Sequence, residues 1–182
     1  MPSPNNLIAS PEARAQRRDS KRMSVLRFLR QHLWSSQAIM QQVLGLASRQ
    51  ATHKTLLTLQ EESLVKCHTF KALGGNVTLW GITPHGQAMA FIPGEEVLIT
   101  TYFEPTRVSE QNIRHQLDLQ RLRLKAEAAG WSEWVDGDRL GNISSDGKRP
   151  DAIVVDPQGR RTAIECEHSC KRRTSDKAST DK

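Results

Sequence analysis

The sequence predicts an α+β fold, and two kinds of apolar spacing support that prediction. Between residues 23 and 64, apolar side chains recur every three or four positions, as in amphipathic helices. Between residues 64 and 83, and again between residues 149 and 167, short alternating runs flank turn residues, which indicates two β-hairpins. We therefore expect helices, then a hairpin, then a smaller α/β region.

Capping and turn residues place the elements of the first region. Ser35 or Ser36 can cap a second helix, Ser48 a third, and Thr83 with Pro84 a last one. The expected bounds are 23–34, 36–45 and 49–64 for three helices, 64–73 and 77–83 for two strands around a Gly-Gly-Asn turn, and 84–91 for the final helix. Three helices followed by a hairpin is the order of a winged helix-turn-helix.

Composition gives the remaining divisions of the chain. Both ends are polar and basic, so we expect a flexible arm at the N-terminus and a disordered tail at the C-terminus. A long helix capped by Ser109 and stopped by Gly130 begins the last folded region. The expected limits are 1–22 for the arm, 23–92 for the winged helix, 93–108 for a linker with one strand at 97–103, 109–172 for the small α/β region, and 173–182 for the tail.

The charge of the chain favours an anionic partner, most simply nucleic acid. Lys and Arg number 26 against 20 Asp and Glu, which gives a formal net charge of +6. The three cysteines are too few for a disulfide framework and lack zinc-like spacing. No run approaches the roughly 18 apolar residues of a membrane span, and the first residues lack the apolar core of a signal peptide. We expect a soluble, cytoplasmic protein.

The third helix is the candidate DNA-recognition element. Its expected core positions are Ala51, Leu56, Leu57 and Leu59. Its exposed N-terminal half would present Arg49, Gln50, Thr52, His53 and Lys54, which suit contacts to base edges. Lys66 and Lys71 on the hairpin are expected to contact backbone phosphate. Two other interpretations stay open, namely an ordinary solvated helix face and a winged helix that docks another protein.

The second hairpin has a turn that predicts its strand register. In the segment Asp156 to Arg160, Pro suits the second turn position and Gly the left-handed position that follows, which gives a three-residue loop. Counted back from that loop, Val155 faces Arg161 and Asp151 faces Glu165. Glu167 lies on the same face as Glu165.

Opposed carboxylates are destabilising in a sheet unless a positive charge offsets them. A divalent cation would do so, and Asp151, Glu165 and Glu167 are therefore candidate ligands for Mg²⁺ or Mn²⁺. Two alternatives remain open. Nearby basic residues (Lys148, Arg149 and Lys171) would also neutralise the cluster, and a slip of one residue in the register would separate the acids.

A Pro-Asp strand, a turn and a Glu-x-Glu strand resemble the PD-(D/E)xK nuclease motif, with Glu167 at the position of the usual lysine. Residues 24–172 resemble the replication-relaxation family, and within it the MobC-type plasmid mobilisation relaxases. The most specific matches are H-x-L-x-x-Q-x-x-R-L-x-x-E-x-x-G-W from His115 to Trp131 and the acidic hairpin. The resemblance implies a metal-dependent enzyme that nicks double-stranded DNA at a transfer origin, together with other mobilisation proteins. It implies a site of Asp151, Glu165 and Glu167 with His115 nearby, and Lys171 in the lysine's role.

A second hypothesis makes the chain a non-catalytic DNA-binding protein, either an accessory factor or a transcriptional repressor. A nuclease region of this type needs a further helix that covers the sheet. The segment after Glu167 is short and polar, so we expect the region to be incomplete. Helix 109–129 would then serve a homodimer. His115, beside Leu and Ile on a helix, is equally consistent with a partly buried, hydrogen-bonded residue.

Overall fold

A computed structural model describes residues 10–72, 74–91, 94–95, 101–140 and 149–167. The chain forms two compact units, Met1–Lys125 and Ala126–Lys182. Helices and small antiparallel sheets occur together, which confirms the mixed α+β class. The first unit contains α1 (Pro11–His32), β1 (Trp34–Ser36), α2 (Gln37–Val43), α3 (Arg49–Glu61), β2 (Val65–Ala72), β3 (Gly75–Ile82), α4 (Pro84–Met89) and most of α5 (Ile113–Ala128). The second contains β4 (Ser132–Asp136), β5 (Ala152–Val155) and β6 (Arg161–Ile164).

The predicted order of three helices and a hairpin is present in the first unit. Ser36, Ser48 and Thr83 accept hydrogen bonds from backbone N–H groups in the first turns of α2, α3 and α4, as N-caps do. Strands β2 and β3 pair antiparallel from Val65–Ile82 to Ala72–Gly75. The short strand β1 was not predicted. It pairs with the other edge of β3, so the sheet order is β1-β3-β2.

The prediction of a flexible arm over residues 1–22 was wrong from Pro11 onwards. Helix α1 begins there, and the hydroxyl of Ser10 accepts a hydrogen bond from the Ala13 N–H at 3.2 Å. The local signals for this start are a serine at the N-cap and a proline at the first helical position. This part of the helix was not predicted because its residues are mostly polar and show no apolar periodicity. Residues 1–9 lie outside the described part of the chain.

The C-terminal half of the central strand β3 is covered on both faces. All residues from Leu79 to Ile82 are buried, so side chains of both orientations are inside. Phe103, which we placed in a linker, is 1% exposed and its N–H donates to the Ile82 carbonyl at 3.0 Å. A Cβ atom on Gly81 would lie 2.0 Å from the ring of Phe103, so this glycine makes room for that ring. Phe103 is therefore part of the core, and residues 101–104 do not form a strand. Residues 97–100 of the expected strand lie outside the described part.

Helix α5 differs from its prediction in its start and in its partners. A 3₁₀ turn at Glu110–Asn112 precedes it, and the Ser109 side chain makes no capping hydrogen bond. Ile113 and Leu117 belong to the core cluster of the first unit. Most of the helix therefore lies in the first unit and not in the region 109–172 to which we assigned it. Its predicted end is confirmed, since Gly130 follows with φ +82°.

The second unit is an antiparallel sheet in the order β4-β5-β6. The predicted three-residue turn is present, because the Asp156 N–H donates to the Arg160 carbonyl and Gly159 has φ +80°. Four of the predicted pairs are confirmed, from Val155–Arg161 to Ala152–Ile164. The apolar side chains that are buried in the described part of this unit are Leu140, Ala152 and Val154.

Candidate nucleic-acid interface

The N-terminal half of α3 presents a row of polar side chains to solvent. Arg49, Gln50, His53 and Lys54 are all exposed, as predicted. The Gln37 side chain on α2 donates a hydrogen bond to the Arg49 carbonyl at 2.8 Å. This bond joins α2 to the first turn of α3 and fixes the direction in which that turn points.

Thr52 was predicted to be on the exposed face of α3, and that prediction was wrong. Its side chain is completely buried, and its hydroxyl donates to the Ser48 carbonyl at 3.2 Å. Thr52, Leu56 and Leu59 are the buried residues of α3, and they follow the spacing of four and three positions that marks one helix face. Threonine is small and satisfies its own hydroxyl within the helix, so it can occupy a core position.

The orientation of α3 that buries Thr52 also exposes Leu57, which we had assigned to the core. It is 41% exposed and lies beside the polar row. Together they border a shallow depression of about 400 Å³, lined by Gln37, Arg49, Gln50, His53, Lys54 and Leu57. Gln37 and Leu57 were not predicted to lie at the surface of this site. The spacing of Leu57 from Gln50, His53 and Lys54 would have identified it once the position of Thr52 was known.

His53 has a structural contact in addition to its exposure. Its ring meets the buried ring of Trp80 edge to face, with centroids 5.9 Å apart. Because Trp80 lies on the central strand β3, this contact ties the exposed face of α3 to the sheet.

The two predicted phosphate-binding lysines of the hairpin differ in their surroundings. Lys71 is exposed on β2. Lys66 forms an ion pair with Glu104, with Nζ and Oε1 3.0 Å apart, and its ammonium group lies 5.9 Å from the centroid of the Phe103 ring. The Glu104 carboxylate offsets the charge of Lys66, so Lys71 is the more suitable of the two for phosphate.

The acidic end of the second hairpin departs from the predicted register. The Asp151 N–H donates to the Ile164 carbonyl at 3.0 Å, whereas a regular ladder would turn this N–H away from β6. One carboxylate oxygen of Asp151 accepts the N–H of Cys166 at 2.7 Å. The predicted direct pairing of Asp151 with Glu165 is therefore not formed. The physical reason is that the Asp151 side chain satisfies a backbone donor where the strands separate.

The predicted metal ligands do not form a three-carboxylate site in this arrangement. Glu165 and Glu167 are exposed, while Asp151 is partly buried. Among all described residues, no group of three His, Cys, Asp or Glu side chains is close enough to hold a metal ion. His115 is partly buried on α5 in the first unit, and Lys171 lies outside the described residues. Arg149, which we considered as a neutralising residue, pairs with Asp138 at 3.0 Å.

Comparisons with known proteins add little to this geometry. No protein-family model and no curated protein matches the chain. Among solved structures, the chain is similar to a double mutant of Lactococcus lactis ZitR in its apo form, with 28% identity and a TM-score of 0.34. The match covers 42% of this chain and 55% of that one. A likeness at this TM-score supports no argument about fold or function. In the described residues, no helix is long and apolar enough to cross a membrane.

Proposed function

We propose that the first unit is a winged helix-turn-helix that binds double-stranded DNA with α3 in the major groove. The observation that carries this proposal is the exposed row of Arg49, Gln50, His53 and Lys54 on the N-terminal half of α3. Recognition helices contact base edges with that half. The order of helices and the antiparallel hairpin beside them support the same assignment.

The side chains of this row match the chemistry of base edges. Arg49 and Lys54 are donors suited to the O6 and N7 acceptors of guanine, and Gln50 can pair with adenine. Leu57 adds an exposed apolar group that suits the methyl of thymine. Lys71 on the hairpin is exposed and positively charged, which supports a contact with a backbone phosphate.

The proposal is tested by replacing the donors of α3 one at a time. A duplex is first selected from a random-sequence pool with the wild-type protein, and binding is then measured by fluorescence anisotropy. Arg49→Ala and Lys54→Ala should each weaken binding by about 1–3 kcal/mol. Arg107→Ala removes an exposed arginine outside α3 and serves as the charge-matched control. Equal affinities for all four proteins would show that α3 is not the recognition helix.

A second proposal is DNA nicking at a transfer origin, in the mobilisation of a plasmid or integrated element. It is supported by the resemblance of the sequence and by the hairpin turn, which sets Asp151, Glu165 and Glu167 at one end of β5 and β6. Because the described carboxylates do not form a metal site, we derive no catalytic step from them. The alternative is a DNA-binding accessory factor or repressor without enzymatic activity.

Relaxation of supercoiled plasmid separates these two proposals. The plasmid carries the selected duplex and is incubated with Mg²⁺ or Mn²⁺ and with wild type, Asp151→Ala or Glu165→Ala. Asp138→Ala, which changes an exposed acid of the same unit, is the control. Relaxation by wild type and by the control, lost in the other two variants, supports the enzyme. Tight DNA binding without relaxation supports the accessory factor or repressor.

A further inference from the structure

The N-terminal half of α1 has a stripe of cations where an amphipathic helix would have an apolar stripe. Its members are Arg14, Arg17, Arg18, Lys21 and Arg22. These positions are spaced by three and four residues, so they share one face of the helix. Like charges at this spacing repel each other and destabilise a helix. The stripe therefore has a cost that a bound anion would remove.

This stripe forms one wall of an open groove of about 700 Å³, and α3 forms the other wall. The α3 side is lined by Ala51, Lys54, Thr55, Thr58 and Leu59. Glu62 is the acid that lines the groove, and it pairs with Arg22 at 3.1 Å. Within the described part of the chain, Arg14, Arg18 and Lys21 make no ion pair. The groove thus has several cations that no neighbouring carboxylate offsets.

We propose that this groove binds the phosphate backbone of the duplex whose bases α3 contacts. The inference rests on the proposed function, and Lys54 connects the two surfaces because it lines both the groove and the depression on α3. The cations of α1 have donors but no acceptors, which suits phosphate oxygens because these accept hydrogen bonds and carry negative charge. The groove supplies affinity that does not depend on sequence, and α3 supplies the specificity.

The salt dependence of DNA binding tests the groove directly. Each lost phosphate contact should reduce the slope of log affinity against log salt concentration by about 0.9. Arg14→Ala/Arg18→Ala should therefore reduce that slope by about 1.8 on both the selected duplex and a scrambled one. Arg27→Ala changes an exposed arginine of α1 that does not line the groove, and it should leave the slope unchanged. Alanine favours helix, so circular dichroism should show α1 intact in all three proteins.

Three other outcomes have distinct meanings. If wild type binds the selected duplex and the double variant keeps its slope, the groove proposal is overturned and the role of α3 stands. If inorganic tripolyphosphate binds wild type and not the double variant, while the DNA slope is unchanged, the groove takes a small polyanion and the proposal is again wrong. If wild type binds no duplex, the proposed function fails and the groove proposal fails with it.

Discussion

The carboxylate of Asp156 accepts hydrogen bonds from three donors inside the turn between β5 and β6. They are the N–H of Gln158 at 2.9 Å, the N–H of Arg160 at 2.8 Å and the Arg160 side chain at 2.7 Å. The backbone N–H of Arg160 has the largest effect in holding the pKa of Asp156 below its usual value, and burial opposes it. The ionised side chain therefore stabilises the folded turn.

This lowered pKa predicts an acid-sensitive turn. Because the folded pKa is below the unfolded value of about 3.9, the stabilisation is present above that value and is lost as the pH falls through the folded pKa. Hydrogen exchange should show the protection of the Arg160 amide declining over that range in wild type. Asp156→Asn should have weaker protection at neutral pH and a smaller decline. Asp138→Asn, which changes an exposed acid, should behave like wild type. A full decline in Asp156→Asn would contradict the assignment.

At this scale, local chemistry was predictable and helix rotation was not. The turn from Asp156 to Arg160 follows from its own proline and glycine, so four strand pairs were predicted correctly. Thr52 was expected to be exposed and is buried, and Leu57 was expected to be buried and is exposed. The helical periodicity of α3 is compatible with either residue on the inner face. Asp151 was misplaced because its side chain bonds a backbone N–H, which no pattern of charges indicates.

Between elements, Gln120 connects α5 to the edge strand β1. Its side chain is 2% exposed, accepts a hydrogen bond from the Ser35 hydroxyl at 2.6 Å, and donates one to the Trp34 carbonyl at 2.9 Å. The buried amide therefore has a partner both as a hydrogen-bond acceptor and as a donor. Ile113 and Leu117 of this helix pack within the first unit. A homodimer through helix 109–129, expected in the non-catalytic case, stays a prediction.

Removal of the Gln120 amide should destabilise the first unit. Gln120→Leu leaves the buried Ser35 hydroxyl and the Trp34 carbonyl without this partner, which costs about 1–3 kcal/mol in the free energy of unfolding. Ser35→Ala/Gln120→Leu removes both side-chain partners, so its cost should be smaller than the sum of the single variants. Urea denaturation measures all three. Strictly additive costs would indicate that the two side chains do not interact.

Elements with an apolar period were predicted well, and those without one were missed. Helices α2, α3 and α4 and the strands β2 and β3 combine periodicity with capping or turn residues. The first half of α1 has only its cap, and β1 is a three-residue strand that exists because β3 offers it an open edge. Pairing of this kind depends on tertiary contacts, which a local pattern does not contain.

For the whole molecule, the two units differ in the size of their described cores. The first unit has a continuous cluster of buried apolar side chains from Val25 to Leu117. In the described part of the second unit, Leu140, Ala152 and Val154 are the buried apolar residues. A small apolar core stabilises a unit less, because the hydrophobic contribution is proportional to the area removed from water.

We therefore expect the second unit to open at a lower free energy than the first. Native-state hydrogen exchange should show the bonded amides of β5 and β6 exchanging through local opening, while those of β2 and β3 exchange only through global unfolding. Low concentrations of urea should accelerate the exchange of the β2 and β3 amides, because global unfolding exposes much surface, and should leave the exchange of the β5 and β6 amides unchanged. Val154→Ala should widen the difference, since it removes buried apolar area from the second unit alone. Equal protection of both sheets, in wild type and in this variant, would mean that the chain unfolds as one cooperative structure. DNA added at saturating concentration should raise the protection of β2 and β3 if α3 is the recognition helix, because a ligand stabilises the unit that binds it.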